Sequence, residues 1–163
     1  MIRRVKQSDA QMLGEVYCSA WKTGYAGLMP DYFLDALPPK YSAPKPDHMQ
    51  TDRWLVFESE GKLTGTVTFG KGRDADSGDL GEIYSLYILP ELWRTGQGSA
   101  LFHAAAEALK ALGFAGVYLW TLRDNHRAKA FYESQGMTLS GKERELEIAG
   151  AYLPEVQYQL NWQ

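Results

Sequence analysis

The amino-acid sequence predicts an α/β fold, a mixed sheet covered by helices in the α+β manner, and three observations predict it. The stretches "LGEIYSLYIL" (80–89) and "AGVYLWTL" (115–122) are apolar nearly throughout, as strands covered on both faces are. Between them lies "GSALFHAAAEALKALG" (98–113), the strongest helix of the chain, so the segment around 80–120 reads as a β-α-β unit with a parallel pair and a right-handed crossover. A hairpin signal around Glu60-Gly61 precedes that unit, and two late strands separated by "IAGAY" (148–152) follow it. The expected architecture is a mixed, mostly antiparallel sheet of about six or seven strands with a central parallel β-α-β unit, flanked by about four helices.

Each element has its own warrant. "IRRV" is a short strand, and "SDAQMLGEVYCSAWKTGY" is a helix with Ser8 as N-cap and Met12, Val16 and Ala20 on one face. "MPDYFLDAL" is a second short helix, with Pro30 in its first turn and Asp31 favourable to the helix dipole. The proline-rich "PPKYSAPKPDHMQ" (38–50) cannot continue a helix and reads as a surface loop. "RWLVFESEGKLTGTVTFG" supplies two strands, and "GRDADSGD" is a polar turn before the strand that Pro90 ends. In the central helix Leu101, Ala105, Ala108 and Leu112 fall at helical spacing and Gly113 closes it. "NHRAKAFYESQG" is a short helix capped by Asn125 and closed by Gly136. The late strands cover roughly 137–147 and 152–162. The order is β-α-α-β-β-β-α-β-α-β-β.

Composition narrows the class. The 163 residues are of the size of one domain, read here as a single domain over 1–163. A hydrophobic fraction of 45% and a charged fraction of 23% are those of an ordinary soluble globular chain. A formal net charge of −3 argues against nucleic acid as partner, because binders of the phosphate backbone carry a basic patch. No apolar run approaches the roughly 18 residues that span a bilayer, and "MIRRVKQSDA" lacks the apolar segment of a signal peptide, so a cytoplasmic protein with no membrane partner is expected. The lone Cys18 lies on an apolar helical face and reads as a small buried hydrophobe. His48, His103 and His126 show no metal spacing, and no metal is expected.

The chemistry is carried by "LWRTGQGSAL" (92–101), two glycines at a helix entrance. Gly96 and Gly98 remove the Cβ atoms that would obstruct a ligand and permit positive φ. The free N–H groups of a helix start, together with the helix dipole, suit a phosphate. Arg94 could add a charge-assisted contact, and the Thr95 and Ser99 hydroxyls further donors. A Walker A loop is excluded by the missing lysine, and a dinucleotide fingerprint by Leu101 in place of a third glycine. From the glycines alone, a tight strand-to-helix turn without ligand stays open beside the anion site.

The surrounding residues carry a resemblance. "WRTGQG", with "GEIYSLYILPELW" before it and "NHRAKAFYESQGM" after it, resembles the GNAT (GCN5-related) N-acetyltransferases. Their turn reads Gln/Arg-x-x-Gly-x-Gly/Ala, with Trp93 here at the first position and Arg94 beside it. Their later stretch reads Asn-x-x-Ala-x-x-Phe-Tyr-x-x-x-Gly-Phe/Met. "AWKTGYAGLMPDYFLDAL" is also similar to the N-terminal helices of one branch. The resemblance implies the GNAT fold and transfer of an acetyl group from acetyl-CoA (coenzyme A carrying the acetyl) directly to a primary amine of a small molecule or a peptide N-terminus. Use of another acyl-coenzyme A, or coenzyme A sensing without catalysis, are the alternatives.

By the same resemblance Glu82 matches the general base, and its apolar strand would raise its pKa. Tyr132 matches the acid that protonates the departing sulfur. Leu86, Tyr87 and Ile88 would hold the pantetheine arm by backbone groups. Arg94, Thr95, Gly96, Gln97, Gly98 and Ser99 would cradle the pyrophosphate. Asn125 matches a cofactor-contacting asparagine, although it also suits an N-cap, and Arg127 and Lys129 would reach the 3′-phosphate or be solvated. Trp21, Tyr25, Tyr84, Trp120 and Tyr152 are candidate walls for the amine, which aromatic rings attract as a cation. Pairing of two copies through the last strands, a homodimer, is the family's habit.

Overall fold

The computed structural model describes residues 1–38 and 53–162. Among them the elements run β1 (Ile2–Arg4), α1 (Ala10–Gly24), α2 (Asp31–Asp35), β2 (Trp54–Ser59), β3 (Lys62–Lys71), β4 (Leu80–Ile88), α3 (Gln97–Ala111), β5 (Gly116–Leu122), α4 (His126–Ser134), β6 (Thr138–Ile148) and β7 (Ala151–Asn161). This is the order expected from the sequence. The proline-rich loop expected at 38–50 lies almost wholly outside the described residues.

The strands form one sheet in the order β1-β2-β3-β4-β5-β7-β6. All neighbours are antiparallel except β4 and β5, the parallel pair joined through α3. The two hairpins turn on residues of positive φ, Glu60 and Gly61 in one and Ala149 and Gly150 in the other, as two-residue primed turns require.

One core fills the face beneath α3, where Leu101, Phe102, Ala105 and Leu109 pack on Val67, Phe69, Ile83, Val117, Val156 and Tyr158. On the opposite face Leu13 and Val16 of α1 meet Trp54, Val56 and Leu63. The β4 side chains divide between these faces, Ile83 and Ile88 in the core under α3 and Tyr87 on the cluster under α1. Residues 83 and 87 would share a face by strict alternation, and a register shift between them changes it. Cys18 is buried, and its thiol donates to the Pro38 carbonyl at 2.8 Å.

Two local expectations are corrected. Ser8 does not cap α1; a 3₁₀ turn, Gln7–Asp9, precedes the helix. The Asp9 carboxylate instead accepts the Lys6 amide at 2.7 Å and pairs with Arg3. Leu112 follows the last turn of α3 and is largely exposed, because Gly113 at φ +90° turns the chain away there.

Two irregularities in β4 make the site. Its register with β3 passes from Thr68↔Ser85 to Phe69↔Ile83, which leaves Tyr84 as an extra, bulged residue. Its pairing with β5 covers only Leu80↔Gly116, Gly81↔Val117 and Glu82↔Tyr118. Beyond Glu82 the two strands diverge, each still held by its outer neighbour, β3 or β7.

Candidate functional site

The divergence opens a cleft of about 1230 Å³ floored by residues 83–88 of β4 and 119–122 of β5. Inside it, backbone groups of β4 that would have bonded β5 face a gap, and buried backbone groups demand partners. An extended ligand bearing amides can supply them, as an added strand does.

One end of the cleft is the start of α3. Gly96 precedes it at φ +90°, a backbone state that a side chain resists, with open space where a Cβ would project. At Gly98 a Cβ would sit 3.3 Å from the Phe131 ring, so this glycine lets α3 start close against α4. The Ala100 amide bonds the Gly96 carbonyl at 3.0 Å, and the amides ahead of it point outward from the helix start. Arg94, Gly96, Gly98 and Ser99 all line the cleft. A glycine-walled helix start opening on a long cleft fits a pyrophosphate-bearing arm.

Other residues expected around the cofactor divide. Leu86, Tyr87, Ile88, Asn125 and Arg127 line the cleft. The Asn125 side chain accepts the Ala128 amide at 3.2 Å, so it does cap α4. Three residues are not among the lining, and what the start of α3 can offer through Gln97 is its outward backbone amide. The Thr95 hydroxyl is turned back to the Leu92 carbonyl at 2.7 Å, and Gln97 accepts the Thr64 hydroxyl at 2.7 Å against β3. Lys129 of α4 is not part of the cleft lining.

Trp93, the departure from the family turn, has a place of its own. Its indole donates to the Ile88 carbonyl at 3.0 Å, and the Arg127 guanidinium stacks over its ring at 3.6 Å. Arg127, exposed on its outer side, thus bridges from α4 to the β4–α3 connection, and partial desolvation lowers its pKa from the ordinary arginine value.

The two candidates for base and acid are also divided. Tyr132 lines the cleft, its ring packed against Phe131 and Tyr158 with centroids 5.3 and 6.2 Å away. Burial, with the Tyr25 phenol nearby, raises its pKa above the ordinary phenol value. Glu82 does not line the cleft, contrary to expectation. Its carboxylate is 1% exposed and meets Arg73 twice, Oε1 to Nη2 at 2.6 Å and Oε2 to Nε at 3.1 Å. Oε2 also accepts the Arg73 amide at 2.9 Å and the Tyr118 hydroxyl at 3.0 Å. Four hydrogen bonds leave this carboxylate fully engaged in holding the turn after β3 to β4 and β5.

The other end of the cleft lies beneath α1 and α2. Trp21, Tyr25, Tyr84 and Trp120 line it as expected, with Trp21 and Tyr25 in edge contact at 5.1 Å. Burial raises the pKa of the Tyr25 and Tyr87 phenols. Tyr84 caps the Lys71 carbonyl at 2.6 Å and carries the Arg73 guanidinium 4.5 Å from its ring centre. Tyr152 is 65% exposed and outside the lining, because its register partner Glu147 places it on the open side of the β6–β7 hairpin.

Sequence reasoning missed two titratable residues that line this cleft, His126 at the start of α4 and Glu155 on β7. Glu155 is 7% exposed. Arg144 meets only its Oε1, at 2.8 Å, and the same guanidinium stacks over Trp120 at 4.2 Å.

Comparison with known proteins agrees with this geometry. Residues 15–137 match the model of the acetyltransferase (GNAT) family. The uncharacterized N-acetyltransferase YuaI of Bacillus subtilis (strain 168) is 30% identical over 156 residues, 95% of this chain and 89% of that protein. PaiA N-acetyltransferase from Thermoplasma acidophilum, solved with coenzyme A, superposes with a TM-score of 0.72 at 21% identity over 95% of this chain and 96% of that one. The Salmonella typhimurium protein yncA, solved with its cofactor acetyl-CoA, superposes at 0.66 with 19% identity, over 99% and 92%. With its splayed parallel pair, its glycine-walled helix start and this match over most of its length, the chain belongs to the GNAT acetyltransferases, acyltransferases that use acetyl-CoA.

Proposed function

We propose that this protein transfers an acetyl group from acetyl-CoA to a primary amine of a small molecule or of a peptide N-terminus. The observation that carries the reading is the cleft itself. At one end it holds the phosphate-suited start of α3, along its floor the unpaired edge of β4, and at the other end an aromatic chamber, with Tyr132 facing it. The coenzyme supplies the acetyl group as a thioester. The protein's own contribution is position and proton management. Backbone amides at the start of α3, with Arg94 and Ser99, hold phosphate oxygens. The free backbone edge over residues 84–88 fixes an extended arm. Tyr132, whose raised pKa keeps its proton through neutral pH, has a hydrogen to give a departing thiolate.

The test is mass spectrometry of products from a panel of primary amines and short peptides, beside calorimetry of coenzyme A binding. Wild type is expected to bind coenzyme A and acetylate a subset of the panel. Tyr132→Phe is expected to lose about 10²-fold in kcat while coenzyme A binding stays near wild type. Binding without acetylation of anything would instead favour a coenzyme A sensor, and reaction only with longer acyl chains another acyl-coenzyme A. Unchanged kcat in Tyr132→Phe removes the tyrosine as acid.

A further inference from the structure

We propose that Glu155, rather than Glu82, is the carboxylate that receives the acceptor amine as its ammonium and takes a proton from it. This deepens the reading above and rests on it. The observation is an unevenly satisfied carboxylate. Glu155 is 7% exposed and lines the cleft, yet Arg144 engages Oε1 alone. Among the described residues Oε2 accepts no hydrogen bond, whereas both Glu82 oxygens are occupied and that side chain lies outside the lining. A carboxylate oxygen that opens on the cleft with no donor among the described residues is free to receive one from a ligand, and a ligand's N–H there gains a charge-assisted hydrogen bond.

The surroundings say what donor fits. Trp21, Tyr25 and Trp120 supply aromatic walls, and Met29, Leu146 and Ile148 close the chamber with apolar surface. An aromatic, otherwise apolar chamber with one carboxylate oxygen matches a primary alkylammonium: the aromatic faces attract its charge and the carboxylate accepts its N–H. Glu155, Tyr25 and Tyr132 line the same cleft. Arg144 is itself shared with Asp74, at 3.6 Å, so its charge is divided between two carboxylates and Glu155 retains attraction for a cation.

The step balances simply. One N–H bond of the ammonium breaks, the proton moves to Oε2, and the electron pair stays on nitrogen as the lone pair that attacks. The new N–C bond then forms as the C–S bond breaks, and the sulfur takes its proton from Tyr132. The nitrogen, positively charged after its attack, gives up its second proton and restores the phenol, which leaves an amide, a free thiol and one proton on Glu155.

The experiment compares n-butylamine, an ammonium at neutral pH, with 2,2,2-trifluoroethylamine, which is already neutral there and needs no base. Glu155→Gln is expected to lower kcat/KM for n-butylamine about 100-fold or more, and for trifluoroethylamine by less than about fivefold. Coenzyme A binding, measured by calorimetry, is expected to stay within about threefold of wild type. Equal losses for both amines would assign Glu155 a structural role, and no loss for either would free it of any; both outcomes overturn the proposal. Should the variant fail to fold, or wild type acetylate no amine, the wild-type protein decides by NMR. Titration with n-butylammonium is expected to move the Glu155 side-chain carboxyl resonance more than that of Glu82, and an unmoved Glu155 overturns the proposal whatever the fate of the acetyl-transfer reading.

Discussion

Glu82 and Glu155 show how one residue type takes two jobs according to what surrounds it. Both are glutamates on strands of the same sheet and both are buried, yet one is saturated and the other holds an oxygen in reserve. Glu82 ties the turn carrying Arg73 to β4 and, through the Tyr118 hydroxyl, to β5 at the last position where those strands still pair. The burden is structural. Replacing Glu82 by Gln removes the charge but keeps one acceptor, and Arg73 is 60% exposed and free to turn to water. A loss of about 2 kcal/mol is expected, the scale of one or two hydrogen bonds to a charged group. Urea unfolding should show the midpoint falling, while kcat/KM for the amine stays within about twofold of wild type. A stable Glu82→Gln protein that has lost its turnover would return the base to this position.

Elements were legible where periodicity and punctuation agreed, and the site was legible where a motif named it. The β-α-β unit, the Asn125 cap and the glycine closures all follow from local residues, and the structure has them. Features set by non-local contacts were not legible. Nothing in "GEIYSLYI" marks Tyr84 as the bulged residue, because a bulge is fixed by the partner strand. In "LPEVQYQL" strict alternation reads Glu155 and Gln157 as solvent-facing opposite Val156 and Tyr158. The structure buries both, with Glu155 in the cleft lining. Polar residues on a face that only another element covers carry no local signal of burial. The same non-locality holds the N-terminal element in place. Arg3 of β1 reaches both Glu58 of β2 and Asp9 ahead of α1, the latter through Nη1 at 2.8 Å and Nη2 at 2.9 Å. The Arg3 hydrogen bonds hold the Asp9 pKa below the usual aspartate value. A carboxylate depressed in the folded state stabilises above its unfolded pKa and loses that contribution as pH falls through the folded value. Stability is therefore expected to decline from about pH 4 downward through this pair. Asp9→Asn should cost about 1–2 kcal/mol near neutrality and flatten that acid limb, as followed by thermal melts across pH. An acid limb as steep as wild type would show that Asp9 does not carry it.

At the scale of the whole molecule the sheet is a wedge. On one side β1 to β4 form an antiparallel ladder beneath α1 and α3; on the other β5, β7 and β6 form a second ladder. The two meet through three residue pairs at the base of β4 and β5 and through α3 and α4 across the opening. Such a join leaves the amides of residues 84–88 with β3 on one side only, and edge amides open more readily than those in a ladder paired on both sides. A ligand that bridges the opening should bind the closed arrangement in preference to any opened one. By mass action it then stabilises the fold by about 2.7 kcal/mol at a hundredfold excess over Kd. Hydrogen exchange with and without coenzyme A can locate that gain. Protection is expected to rise at residues 84–88, at the first turn of α3 and at the start of α4. The β2–β3 hairpin and β1, whose bonding the ligand does not touch, should change little. Protection spread evenly over the sheet would mean that the opening is not where the arm lies. Protection at residues 84–88 that Gly98→Trp abolishes would instead tie the pocket at the start of α3 to the free edge of β4 as one binding surface.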